Sequence, residues 1–232
     1  AGRIDRFHRL ARAVCAIRAG RQLYRDASAK GFNMRVVALD IGGANLKASD
    51  GERRSASRSF AIWQHPDRLG EEILQLLSRF ELPHHLAVTM TAELADCFAT
   101  KAEGVDRILS SVEAAVDVPV HVWQRGGEFV SPADAREFPM LVAAANWHAL
   151  ATWAGRMTPA GIALLIDMGS TTTDIIPIVD GLPATDGGTD VERLRSAELV
   201  YTGFRRTPLC AVPPLGFSSR QGLGRMAAEL FA

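Results

Sequence analysis

Three cysteines in 232 residues, Cys15, Cys97 and Cys210, are too few and too scattered for a disulfide framework. None belongs to a Cys-x-x-Cys pair, and their scarcity points to a reducing compartment, the cytoplasm. Charge of one sign is missing as well: 26 basic residues balance 26 acidic ones. Nucleic-acid binders carry a basic excess on one face, so no nucleic-acid partner is expected. No run of 18 apolar residues occurs, which excludes a spanning helix and leaves no membrane partner. The six histidines show no metal spacing, and His84-His85, adjacent before a strand, read as structural. There is no short-period repeat, so a solenoid is excluded. What is present is apolar mass: 47% hydrophobic residues, enough for one large domain or two small ones.

The two ends read differently from the middle. Arg3, Arg6, Arg9, Arg12, Arg18, Arg21 and Arg25 spread over a weakly amphipathic pattern that partly fits a transit peptide. Asp5, Asp26 and a single serine, Ser28, argue against that. Met34 directly precedes a strong strand pattern, so residues 1–33 read as an extension outside the native fold. Residues 224–232 read as a helix without a capping glycine or proline, which makes the second lobe read as incomplete.

Between the ends, strands and helices alternate. Arg35–Asp40 is a short apolar run suited to a buried central strand. Asp50-Gly51 signals a hairpin turn, with Ser59–Trp63 as the strand leaving it. Helices are expected over Pro66–Phe80, Val105–Val116, Met140–Met157 and Val191–Leu199. Further strands are expected over Leu86–Met90, Val118–Trp123, Gly161–Met168 and Asp174–Val179, the last running to Asp180-Gly181. The pattern predicts an α/β protein with mixed sheets. Two similar strand–Asp–Gly–turn–strand units, far apart in the chain, predict duplicated lobes around a cleft. Pro159-Ala160-Gly161 marks their boundary, giving a first lobe over 34–159 and a second over 160–232.

The two turns carry the chemistry. The first is Asp40-Ile41-Gly42-Gly43-Ala44-Asn45-Leu46-Lys47 and the second Asp167-Met168-Gly169-Ser170-Thr171-Thr172-Thr173-Asp174. Each opens on an aspartate at the end of an apolar strand, costly to bury without a positive or hydrogen-bonding partner. Mg²⁺ is one such partner, because one or two carboxylates and substrate phosphates hold it. Asp40 and Asp167 are the metal candidates. Gly42, Gly43 and Gly169 let backbone N–H groups turn toward anionic oxygens. Asn45, Ser170, Thr171 and Thr172 add donors, and Lys47 a compact positive charge. A lone Asp-x-Gly-Gly is an ordinary turn; two such loops in the same setting favour phosphate binding.

Other candidates surround them. Thr91 and Glu93 follow the strand Leu86–Met90, where α/β sheets bind ligands. Glu93 suits a substrate amine or a base, and equally a capping segment in which Thr91 caps a helix. Asp96 serves the same turn. Asp174 is a base or second metal ligand, or a satisfied turn carboxylate. Asn146, on an alanine-rich helical stretch, needs a partner if buried and reaches substrate or metal on the functional reading. Arg206 suits a bidentate grip on diphosphate or carboxylate, or a surface cation.

The segments LDIGGANLK (39–47), AVTMTAELADCF (87–98), AAANW (143–147), DMGSTTTDIIPI (167–178) and LVYTGFRRTP (199–208) resemble a hydantoinase-related branch of the acetate/sugar kinase–Hsp70–actin superfamily. The resemblance runs from about Met34 to the last residue. It implies a ribonuclease H-like, actin-like ATPase fold. It also implies a transferase of methanofuran biosynthesis, in which the phenol of γ-glutamyltyramine attacks a furanmethylamine diphosphate and diphosphate leaves. Asp174, Glu93 and Asp167 are then the catalytic candidates, Thr91, Asn146 and Arg206 the substrate contacts, and Mg²⁺ the cofactor. The partner is a small phosphorylated molecule, and homo-oligomerisation is compatible with the reading. A kinase or an oxoprolinase-like ATPase of the same fold is the alternative, which leaves ATP open. A non-catalytic scaffold is the third reading, with no residue in its favour.

Overall fold

The computed structural model describes residues 34–169, 171–204, 217–219 and 222–224. The N-terminal extension, Ser170, Arg206 and the helix expected at the C-terminal end lie outside the described residues. The chain forms two units that meet between Met157 and Thr158. No helix of the described residues is long and apolar enough to cross a membrane.

The first unit is built on six strands: β1 (Val36–Ile41), β2 (Asn45–Ser49), β3 (Ser55–Ser59), β4 (His85–Met90), β5 (Val120–Gln124) and β6 (Glu128–Val130). Its helices are α1 (Leu69–Leu77), α2 (Lys101–Ala115), α3 (Pro132–Glu137), α4 (Pro139–Val142) and α5 (Asn146–Gly155). The strand order is β3-β2-β1-β4-β5-β6. β1 pairs in parallel with β4, and β4 with β5, while β2 is antiparallel to both neighbours. This is the order of the ribonuclease H-like, actin-like ATPase fold. Period-2 alternation aims Val37, Leu39 and Ile41 of β1 and Leu86, Val88 and Met90 of β4 into one core. Ile73 and Leu76 of α1 and Ile108 and Val112 of α2 join it, all fully buried. Each such side chain contributes about 1.5–3 kcal/mol.

Three expectations need correction here. The strand after the first turn is Ser55–Ser59, not Ser59–Trp63. Asp50 Oδ1 accepts from the N–H groups of Glu52, Arg53 and Arg54, which widens the turn and starts the strand at Ser55. Next, the helix expected over Met140–Met157 is broken into α4 and α5. Ala144 sits at φ 48° and donates its N–H to Glu93 Oε1 at 2.8 Å. Asn146 therefore begins a helix rather than interrupting one. Finally, Thr91 makes no side-chain cap hydrogen bond to the 3₁₀ turn Ala92–Leu94 that follows it. The cap lies downstream, where Thr100 Oγ1 accepts from Glu103 N and starts α2.

The second unit contains β7 (Ile162–Met168), β8 (Thr173–Val179), β9 (Leu182–Pro183), α6 (Asp190–Arg195) and β10 (Leu199–Val200), with order β10-β8-β7 and β9 also on β8. Asp180 and Gly181 both have positive φ, the primed turn that suits a two-residue hairpin. β7 is apolar as expected but not buried on both faces: Ile162 is 83% and Ile166 60% exposed. Among the described residues it pairs with β8 alone. β11 (Phe217–Ser219) and β12 (Gly222–Gly224) form a separate antiparallel pair.

On the first unit's other sheet face, aromatic rings pack together: Trp123 lies 5.1 Å from Phe129 and 5.9 Å from His148. Burial, then the charge of Arg125, pushes His148 down to about 4. Burial also lowers His85 and His121, whose ring nitrogens are 3.0 Å apart. An unfolded histidine binds its proton near pH 6.5, whereas folded His148 refuses it until about 4. The unfolded state therefore holds more protons in that window, and stability falls as pH drops from 6.5 toward 4. His148 alone accounts for a loss of roughly 3 kcal/mol. Urea melts from pH 7 to 4.5 check this: His148→Gln should flatten the slope, and an equally steep slope in the variant would refute the assignment.

Candidate phosphate site

Both turns fold as the same hairpin. In the first, Asp40 faces Lys47 across the ladder, Ile41 faces Leu46, and Gly42 N donates to Asn45 O at 3.1 Å. In the second, Asp167 faces Asp174, Met168 faces Thr173, and Gly169 N donates to Thr172 O at 2.7 Å. The spacing, register and closing hydrogen bond coincide. What differs is the residue opposite the leading aspartate: lysine in the first hairpin, a second aspartate in the other.

The first hairpin is internally neutralised. Asp40 is 3% exposed, and Lys47 Nζ lies 2.7 Å from its Oδ2. Thr89, its register partner on β4, offers Oγ1 at 3.4 Å to Oδ1. Desolvation of the carboxylate is thus offset by a cation at contact distance. Space at Gly42 is tight: a Cβ there would stand 3.0 Å from Asn45 O, with Thr91 Oγ1 at 3.7 Å. Gly43 has open space where its Cβ would be. The chain leaving β3 returns to this loop, with Phe60 N donating to Ala44 O and Ile62 N to Gly43 O. Thr91 N donates to Ile41 O, which brings the end of β4 against the same loop.

Thr91 therefore stands with Gly42, Gly43, Asn45 and Lys47. Glu93 stands behind them, 2% exposed, its Oε1 taken by Ala144 N. Gly104 of α2 packs so closely on Glu93 that an added Cβ would lie 2.7 Å from its Cα. Through Ala144, Glu93 orients the start of α5, where Asn146 Oδ1 accepts from Trp147 N at 2.8 Å. Asp96 is exposed on the next turn.

In the second hairpin the facing aspartates put two carboxylates on one face of the ladder, an arrangement that destabilises unless cations balance it. Arg193, 1% exposed, supplies one: its Nη1 donates to Asp174 Oδ1 at 2.9 Å and its Nη2 to Glu198 O at 3.0 Å. Asp167 is this hairpin's candidate carboxylate for Mg²⁺, an ion that one or two carboxylates hold while phosphate oxygens complete its shell. Among the described residues no three His, Cys, Asp or Glu side chains converge on a metal position. Thr171 and Thr172 are half-buried on the turn, and Phe204 N donates to Gly169 O. Asp40 and Asp167 belong to different units. Arg193 and Thr89 were not legible as site residues. Thr89 could have been found from its strand position beside Asp40; Arg193, inside a charged helix, carries no such signal.

The sequence is 39% identical over 204 residues to the (4-{4-[2-(gamma-L-glutamylamino)ethyl]phenoxymethyl}furan-2-yl)methanamine synthase of Methanocaldococcus jannaschii, spanning 87% of this chain and 60% of that one. A stretch of that length contains both hairpins. Over 46 residues it is 65% identical to the Methanococcus vannielii protein of the same name, 20% of either chain. Among solved structures, a Ppx/GppA family member from Aquifex aeolicus aligns at 17% identity and TM-score 0.35, covering 66% of this chain and 49% of that one. A PilM-PilN type IV pilus biogenesis complex aligns at 17% identity and TM-score 0.35, over 66% and 60%. The hydantoinase/oxoprolinase family model matches residues 85–210, more than half of the sequence, and the chain belongs to that family.

Proposed function

We propose that this chain carries the phosphate-gripping hairpins of a cytoplasmic transferase in the biosynthesis of methanofuran or an analogous cofactor. The supporting observation is that the 39%-identical stretch shared with the synthase encloses both register-matched hairpins. In the proposed reaction the phenol oxygen of γ-glutamyltyramine, or a related acceptor, forms a bond to the CH₂ carbon of a furanmethylamine diphosphate. The C–O bond to diphosphate breaks, and its electron pair leaves with the diphosphate. The phenol proton passes to a carboxylate.

The residues divide that work. Backbone N–H groups of each turn, with Asn45 in the first hairpin and Ser170, Thr171 and Thr172 in the second, are the donors offered to phosphate oxygens. Lys47, 2.7 Å from the Asp40 carboxylate, turns from it toward the growing negative charge. Fixed donors of this kind usually supply the largest share of catalysis. Mg²⁺ held at either candidate carboxylate, Asp40 or Asp167, would neutralise charge on phosphate oxygens. Glu93 and Asp174 are engaged with Ala144 N and Arg193, which suits them to hold structure rather than accept a proton. We assign the proton to Asp96. Asn146 and Arg206 remain with the acceptor.

The test runs two reactions with Mg²⁺ in parallel. One contains the furanmethylamine diphosphate and γ-glutamyltyramine, read as diphosphate release and coupled ether by mass spectrometry. The other contains ATP with the furan monophosphate or no second substrate, read as ADP. Ether and diphosphate without ATP are expected. ADP without ether would replace this reading with a kinase or oxoprolinase-like ATPase built on the same hairpins.

A further inference from the structure

The segment that returns from β3 to the first hairpin ends in an exposed aromatic ring. Phe60 and Ile62 are buried, at 7% and 0%, and bond through their N–H groups to Ala44 O and Gly43 O. Between them and Pro66 stands Trp63, 48% exposed. Its backbone is pinned on both sides: Gln64 N donates to Ala61 O at 3.1 Å, and Cys97 Sγ lies 3.8 Å from Ile62 O. The last contact joins this segment to the turn after Thr91, where Leu94 is also 42% exposed. A single exposed hydrophobic residue is ordinary. Here two belong to the two segments that bond directly to the glycine turn, through Ile62 N to Gly43 O and Thr91 N to Ile41 O.

We propose that Trp63 is a specificity-determining residue that stacks on the aromatic ring of the phosphorylated substrate, with Leu94 on the same apolar rim. The inference rests on the function proposed above. The chemistry of that substrate fits: its ring is one methylene from the diphosphate, so a ring whose phosphates sit on Gly42-Gly43 cannot lie far from the adjoining residues. Tryptophan offers a large rigid face on two side-chain torsions, and its stacked pairs contribute beyond area burial alone. Burial of the ring's other surface adds to that.

Calorimetric titration tests this at equilibrium with Mg²⁺, using the furanmethylamine diphosphate and inorganic diphosphate as separate ligands. Trp63→Ala should weaken the ring-bearing ligand about tenfold or more. Trp63→Phe should return it to within about threefold, because phenylalanine keeps a stacking face. Inorganic diphosphate should bind all three proteins alike. Equal losses for both ligands would show that Trp63 merely supports the loop, and no loss for either would show that the ring lies elsewhere. Each outcome overturns the proposal, as does a wild-type protein that binds the ring-bearing ligand no better than diphosphate. The same samples assayed for ether separate the two readings. Ether with unchanged binding in Trp63→Ala removes the stacking alone; ring-dependent binding without ether removes the transferase alone.

Discussion

Asp167→Asn should lower turnover about 10²- to 10³-fold while leaving the second unit at least as stable as before. The two halves of this expectation have one cause. Asp167 and Asp174 face each other across β7 and β8, and Arg193 contacts Asp174. Like charges directly opposite in a ladder are destabilising, so removing one relieves the fold. The same change removes a carboxylate from the place proposed for Mg²⁺, which accepts one or two such ligands. A structural carboxylate would behave in the opposite way, losing stability with little change in chemistry. The measurement is kcat against Mg²⁺ concentration, with a thermal melt on the same preparation. A higher Mg²⁺ requirement with an unchanged or raised Tm is expected. Asp40→Asn is the companion variant, and there stability should fall, because Lys47 loses its partner at 2.7 Å. Unchanged turnover in both variants would remove phosphate handling from both hairpins.

The contrast shows what a linear sequence can reveal. Both hairpins were legible because each is written locally, as an apolar run, an aspartate, a glycine and a following strand. Their shared register follows from equal spacing, seven positions from Asp40 to Lys47 and from Asp167 to Asp174. The break in the alanine-rich stretch was not legible, because its cause is Glu93, 51 positions away from Ala144. Strand β3, read from its residues Ser-Ala-Ser-Arg-Ser, offers no apolar alternation, and it pairs because β2 presents a free edge beside it. The roles of charged residues were the hardest to assign. Lys47, Glu93 and Asp174 each suit several chemistries on paper, and distances of under 3 Å to Asp40, Ala144 and Arg193 narrow them. Composition could not supply those distances: Lys47 finds its partner within its own hairpin, whereas Glu93 and Asp174 find theirs 51 and 19 positions later.

Arg193→Met should cost about 3–5 kcal/mol, enough to unfold the second unit or bring it close to unfolding. The guanidinium is 1% exposed and joins three pieces of chain: Asp174 on β8, the carbonyl of Glu198 before β10, and α6 from which it projects. The Glu198 carboxylate, 6% exposed, in turn accepts from Asp186 N and Gly187 N. Gly187 is pressed against Arg193 so tightly that a Cβ would stand 2.6 Å from its backbone nitrogen. Methionine matches the length but offers no donor, so the Asp174 carboxylate loses its buried cation and the Glu198 carbonyl loses one of its donors while keeping Ile175 N. Lysine keeps the charge and one bond at most, so Arg193→Lys should lose less than Arg193→Met. The double variant Arg193→Met with Asp174→Asn decides whether the ion pair or the packing dominates. If the pair dominates, removing both charges recovers much of the loss, because the penalty was an uncompensated carboxylate. If the packing dominates, the losses add, and Arg193 is a strut whose charge is incidental. Urea melts of the four proteins separate the cases. Recovery in the double variant would also show that Arg193 balances the charge of Asp174, the aspartate that faces Asp167 across the ladder.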